Sequence, residues 1–197
     1  VCVSKSAMDS FVTSFPELKD KCNYCYNFNP SNEIIDKSKE LYNVYNRDNV
    51  DLLLFTACRF SKEKGLPRAI RAIASLRENG YKLKWYIAGD GAEKENMLHE
   101  IKKHSLQNDI IMLGMKSNPY PYMREADMLF ISSYHEAAPM VVDEAKIVGV
   151  PIFSTNIPVI REKVSEDTGY ICQNSEEGIY LGLKEIMDKP EELIKFR

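Results

Sequence analysis

Residues 51–88 read DLLLFTACRFSKEKGLPRAIRAIASLRENGYKLKWYIA, and their pattern decides the fold. The run from Leu52 to Thr56 is apolar without alternation, as in a strand buried on both faces. A polar loop follows, and Leu66, Ile70, Ile73 and Leu76 then recur at helical spacing until Asn79-Gly80 stops the helix. LKWYIA is a second apolar strand. Strand, helix and strand of this kind require a crossover, so the two strands lie parallel in one sheet.

The same alternation continues toward the C-terminus. GDG is a tight turn and residues 92–104 form a helix. DIIML is a strand closed by Gly114, NPYPYM opens a short helix, and DMLFIS is a strand. Pro139 suits the first turn of the next helix and Gly149 its stop. VPIFS and GYIC are strands around a helical turn near Ile160, and Ser175 caps a last helix carrying Ile179, Leu183, Ile186 and Met187. The expected fold is α/β, a Rossmann-like, doubly wound, mostly parallel sheet with helices on both faces. Upstream the pattern is looser. VCV and NYCYNF read as short strands. Ser4 caps a helix that ends before Pro16, and Ile34, Ile35, Ser38, Leu41, Tyr42 and Tyr45 follow a helical spacing.

The bulk properties exclude several classes. A formal net charge of −3 with interspersed signs argues against nucleic-acid binding. Five cysteines are an odd count in a sizeable domain, which points to a reducing cytosol and not a disulfide framework. No run of about 18 apolar residues is present to span a membrane. The chain opens on Val1 within an apparent strand, so a fragment of a longer chain is expected. Cys22 and Cys25 form a lone pair without a second pair to complete a zinc site. His99 and His104 lie five apart, do not share a helix face, and read as solvated.

In parallel sheets ligands bind beyond the carboxyl ends of the strands. There, Arg59 and Lys64 lie in a strand-to-helix loop suited to a diphosphate. Glu136 lies in a later loop and Glu144 in the second turn of the helix that follows. A helix start attracts anions, so two acids beside it raise a question of charge. Carboxylates accept hydrogen bonds from hydroxyls. Acids flanking a phosphate-binding helix start therefore fit a ligand with hydroxyls on both sides of a diphosphate, a nucleotide-sugar. IAGDGAEKENM is no dinucleotide fingerprint, because Lys94 stands where the third glycine belongs.

The Glu136-x7-Glu144 pair within EAAPMVVDEAKIVGVPI resembles the signature of retaining glycosyltransferases of the GT-B fold, family 4. RFSKEKG is similar to that family's Arg-x4-Lys-Gly loop, and YIAGDGAE to its strand followed by Gly-x-Gly. IIMLG, READMLFISS, GVPIFSTN and TGYIC resemble its other strands, in the expected order from about residue 51 to 172. The resemblance implies that Arg59 and Lys64 bind the donor diphosphate. It places Glu136 near the transferred sugar, Glu144 on the ribose hydroxyls, Met115 and Lys116 beside the base, and the N–H groups of Met140 and Val141 against phosphate. Ala137 is also expected among the substrate-binding residues, although glycine is usual there, and the sequence departs from the family again at Asn27-Phe28 in the hinge and at NIPVIRE, where Glu162 fits a recurrent position.

Residues 1–46 then correspond to the end of a preceding domain, a hinge and an entry segment, and 47–197 to the donor-binding domain. The implied enzyme transfers a sugar from a nucleoside-diphosphate sugar, without a metal or other cofactor, in polysaccharide or glycoconjugate biosynthesis. The acceptor, a sugar or lipid-linked saccharide, belongs to an N-terminal domain absent from this chain, and the isolated domain is expected to be inactive. A cytoplasmic location is implied, with peripheral contact at the inner membrane face left open. An NAD-dependent oxidoreductase domain, a non-catalytic nucleotide-sugar module and a sugar-nucleotide epimerase stand as alternatives.

Overall fold

The computed structural model describes residues 1–40, 45 and 47–196. After a capped helix α1 (Lys5–Ser14), a 3-10 turn (Pro16–Lys21) and α2 (Ser31–Ser38), the chain enters strand β1 (Leu52–Ala57). A 3-10 turn (Lys62–Lys64) leads into α3 (Leu66–Glu78), β2 (Leu83–Ala88), α4 (Lys94–Lys103), β3 (Ile110–Gly114), α5 (Tyr120–Glu125) and β4 (Met128–Ile131). Then come α6 (Met140–Val148), β5 (Ile152–Thr155), α7 (Pro158–Lys163), β6 (Gly169–Cys172), α8 (Glu176–Asp188) and α9 (Glu192–Lys195). Among the described residues the six strands form one sheet in the order β3-β2-β1-β4-β5-β6, every neighbouring pair parallel. This is the doubly wound order, and its direction reverses between β1 and β4.

Alternate residues of each strand feed two separate cores. Leu52, Leu54, Trp85 and Phe130 pack with α3, α4 and α8 on one face. Leu53, Phe55, Leu129 and Ile131 pack with α5, α6 and α7 on the other. Two polar side chains within the first core are paired. Trp85 Nε1 donates to Thr56 Oγ1 at 2.9 Å, and that hydroxyl donates to the Phe130 carbonyl at 2.6 Å, tying β1 to β4.

The N-terminal segment differs from expectation. VCV and NYCYNF meet only through an isolated parallel bridge, Cys2 to Tyr24. Val1, Val3, Tyr24, Tyr26 and Phe28 are exposed, so no third layer stabilises a longer ladder. Ser4 does cap α1, accepting from the Ala7 amide at 3.2 Å. The expected helix carrying Ile34 ends at Ser38, and Ile35 is exposed. Leu41 and Tyr42 lie outside the described residues. Tyr45 is not helical; its ring packs on Tyr86 and its hydroxyl donates to the Tyr122 carbonyl at 2.5 Å. Pro139 stands just before α6 in an extended conformation and not inside it, and Gly149 ends α6 at a left-handed φ of 74°. His99 is exposed, but His104 is not solvated as expected. It lies one turn after Glu100, the same face turns inward, and its Nε2 sits 3.7 Å from that buried carboxylate. All five cysteines carry free thiols.

Candidate functional site

Where β1 and β4 part company at their carboxyl ends, a cavity of about 310 Å³ opens. Thr56, Ala57 and Cys58 form one wall, Ile131 to Ser133 another, and the start of α6 (Pro139, Met140 and Val141) the third. The switch in strand order creates this crevice, because the connections on its two sides run away from each other. Lys64, Glu136 and Glu144 also line it. Among the described residues that do so, Lys64 is the one cation.

Two loops carry the charged groups, and both are held from beneath. Gly65 adopts a left-handed φ of 61°, and a Cβ there would lie 2.4 Å from the Ser132 carbonyl oxygen, so only glycine lets the loops approach. Ser132 Oγ donates to the Lys64 carbonyl at 2.8 Å, and the Tyr134 amide to the Glu63 carbonyl at 2.8 Å. Arg68, buried one turn into α3, donates to the Ser132 and Ser133 carbonyls at 2.7 and 2.9 Å and to Asn174 Oδ1 at 2.6 Å. Its guanidinium also lies 3.8 Å from the centre of the Tyr134 ring. Burial holds its pKa below the usual range for arginine.

This frame brings Lys64 Nζ to 2.6 Å from Glu136 Oε1, and Ser133 Oγ donates to the same oxygen at 2.7 Å. Both partners are largely shielded, with side chains 20% and 12% exposed. Glu144 is engaged differently. Burial pushes its carboxyl above the ordinary range, opposed in part by the nearby hydroxyl of Tyr120 at the start of α5. Cys58 lies at the cavity floor, where burial pushes its thiol up to about 12, so at neutral pH it is a packing group and not a nucleophile.

The other expected site residues lie next door. A second cavity of about 450 Å³ shares Ala57 and Cys58 with the first and is lined by Arg59, Met115, Lys116, Gly89, Asp90 and Pro119. Arg59 is 76% exposed and turned toward Glu63, 3.3 Å away. The Ser61 hydroxyl, then the backbone amide of Glu63 itself and then Arg59 draw the Glu63 carboxyl down to about 2. Gly89 is what lets this wall close, since a Cβ there would meet the Cys58 carbonyl oxygen at 1.9 Å. Thus Lys64, Glu136, Glu144, Met140 and Val141 share one cavity, while Arg59, Met115 and Lys116 border the adjoining one. Ala137 lines neither; it is exposed, and its carbonyl accepts a 2.7 Å hydrogen bond from Ser4 Oγ. Among the described residues no three His, Cys, Asp or Glu side chains converge as metal ligands would.

Arg68, Ser133 and Tyr120 are absent from the sequence reading. For Arg68 a signal was present: a cation inside the apolar stripe of Leu66, Ala69 and Ile70 must find buried acceptors. Glu162 was noticed only for its position, yet it receives the Ser6 amide at 2.7 Å, the Lys5 amide at 3.3 Å and the Tyr26 hydroxyl at 2.8 Å.

Comparison with known proteins places these features. Residues 37–197 match the family model described as Glycosyl transferases group 1. The chain is 26% identical over 163 residues to the O-antigen biosynthesis glycosyltransferase WclY of Escherichia coli, covering 82% of this chain and 44% of that protein. It is 27% identical over 188 residues to an N-acetylgalactosamine-N,N'-diacetylbacillosaminyl-diphospho-undecaprenol 4-alpha-N-acetylgalactosaminyltransferase of Campylobacter jejuni, covering 94% and 49%. The chain thus spans about half the length of the curated relatives it matches. HepE of Anabaena, solved with UDP and glucose, superposes with a TM-score of 0.82 at 16% identity, over 99% of this chain and 55% of that one. At that identity the likeness is one of fold.

Proposed function

The chain belongs to the glycosyl transferases group 1 family, and on that premise we propose that it binds the nucleoside-diphosphate-sugar donor of a retaining, metal-independent glycosyltransferase of family 4. The observation that carries this reading is the cavity at the β1/β4 switch point, which joins one ammonium, a helix start and two carboxylates. Lys64 and the first N–H groups of α6 suit the diphosphate. They are fixed before the reaction and oppose the charge that grows on the departing diphosphate, where preorganised dipoles and cations are most effective. Glu144, beside Tyr120, accepts ribose hydroxyls, and Glu136 those of the sugar. The adjoining cavity between Cys58, Gly89 and Met115 takes the base. Arg59 joins the phosphates by leaving Glu63, a rotation that an exposed side chain makes at little cost.

The support from relatives is of the same kind. WclY bears the name of an O-antigen biosynthesis enzyme, and the Campylobacter protein that of an undecaprenol-linked sugar transferase. We take the acceptor of the present protein to be a sugar or lipid-linked saccharide held by a further domain. On that view the enzyme works in the cytoplasm, in peripheral contact with the membrane, and the 197 residues alone do not transfer sugar. Among the described residues no helix is long and apolar enough to cross a membrane.

A thermal-shift screen of UDP, GDP, ADP and their sugar esters tests the assignment, since ligand stabilisation follows mass action. One base should stand out. Lys64→Ala should weaken its diphosphate by about 1.5–3 kcal/mol, the scale of one charge-assisted bond. Arg59→Ala should cost less, about 1 kcal/mol or under, because its charge is exposed. Absence of binding to every nucleotide would overturn the reading.

A further inference from the structure

Resting on the reading of this cavity as a nucleotide-sugar site, we propose that Glu136 makes the site prefer a nucleoside diphosphate carrying its sugar over the same nucleoside diphosphate without one. The carboxylate and Lys64 are already partners, Oε1 to Nζ at 2.6 Å, and Ser133 Oγ donates to the same oxygen. Of the other groups at hand, Glu144 is a second acid beside Tyr120, and Arg59 lies in the adjoining cavity, turned to Glu63. The cavity therefore holds two carboxylates against one ammonium, and the ammonium is taken.

A phosphate that enters must draw Lys64 away from Glu136 or share it. Either way a largely buried carboxylate loses all or part of its counterion's charge, and leaving one member of a shielded pair uncompensated is strongly unfavourable. The sugar of an intact donor supplies the remedy within the same ligand, because its hydroxyls donate to the carboxylate as the ammonium leaves. The bare diphosphate brings no such donor. Its terminal phosphate also has a second ionisation near neutrality that the sugar ester lacks, which sets more negative charge against Glu136. The partner exchange at Lys64 thus favours loaded donor on two counts and expels the spent nucleotide on the same two.

The test is a calorimetric titration of the 197-residue chain with three matched pairs: UDP and UDP-glucose, GDP and GDP-mannose, ADP and ADP-glucose. Wild type, Glu136→Gln and Glu136→Ala are compared on whichever pair wild type binds. Both variants should bind the free diphosphate more tightly, by about tenfold, a modest share of the energy of a buried pair. The sugar ester should change much less, so the ratio of the two affinities shifts toward the free diphosphate. If one variant does not fold, by loss of its thermal transition, the other decides. An unchanged ratio, or weaker binding of the free diphosphate, would refute the role of Glu136 and leave the site assignment standing. Failure of wild type to bind any pair would remove both.

Discussion

Helix α1 and the sheet that begins at Leu52 are held to the molecule by different forces. The four inner strands β2, β1, β4 and β5 bury nearly every side chain, in two cores. Helix α1 buries none of its residues, and Phe11, Phe15 and Phe28 remain exposed around it. What fixes it is polar and local: Glu162 accepts two amides at its start and the Tyr26 hydroxyl, and Ser4 reaches the Ala137 carbonyl. Asn29 adds a 3.4 Å contact to Asp143, which also pairs with Lys163. Apolar burial adds over many residues and is insensitive to direction, whereas a few hydrogen bonds set an orientation and give way together. Helix α1 is therefore oriented against the loop carrying Glu136 without being locked there by a core, whereas α2 buries Ile34.

That contrast can be broken in order of expected effect. Phe130→Ala, at the centre of the first core, should cost about 3–5 kcal/mol by urea unfolding, while Phe11→Ala should change stability by about 0.5 kcal/mol or less. Similar losses for the two would mean that α1 is packed as the sheet is. Arg68→Leu keeps bulk but strands the Ser132 carbonyl, while the Ser133 carbonyl keeps its bond from Thr155 Oγ1, and should cost about 1–3 kcal/mol. Ser4→Ala removes a helix cap and the tie to Ala137; a loss of about 1 kcal/mol is expected, read best as faster hydrogen exchange in α1.

The smallest effect is a pH dependence. Burial alone would raise the Glu162 carboxyl, but bonds from Ser6, Tyr26 and the Lys5 amide outweigh it and hold the pKa below the ordinary value. A depressed carboxylate contributes stability above its unfolded pKa and loses it as pH falls through the folded one. Protection of the Lys5 and Ser6 amides, corrected for intrinsic exchange, should therefore fall on acidification below about pH 4. Glu162→Gln should lack that acid dependence. Unaltered acid behaviour in the variant would assign the effect to another group.

The strands and most helices were legible because the signals are short-range: apolar runs, helical spacing, and the glycines and prolines that stop them. Ser4 and Ser175 were recognisable as caps for the same reason, and both accept the amide expected of them. The upstream strands were misread because alternation at Tyr24, Tyr26 and Phe28 says only that these residues share a face. It says nothing of whether a neighbour covers that face. His104 was misread because its geometry was compared with that of His99, when the residue that mattered was Glu100, one turn away.

From its letters alone this chain declares a parallel α/β sheet, the loops at its carboxyl ends, and a set of charged residues in those loops and the helix turns that follow them. Such features follow from periodicity and turn chemistry within some twenty residues. The pairing of Lys64 with Glu136 across 72 residues, the burial of Arg68 beneath both loops, and the placing of Arg59 in a neighbouring cavity were settled only by the strand order. The physical reason is that a side chain chooses its partner among whatever the topology delivers within about 4 Å, and sequence separation carries no measure of that distance.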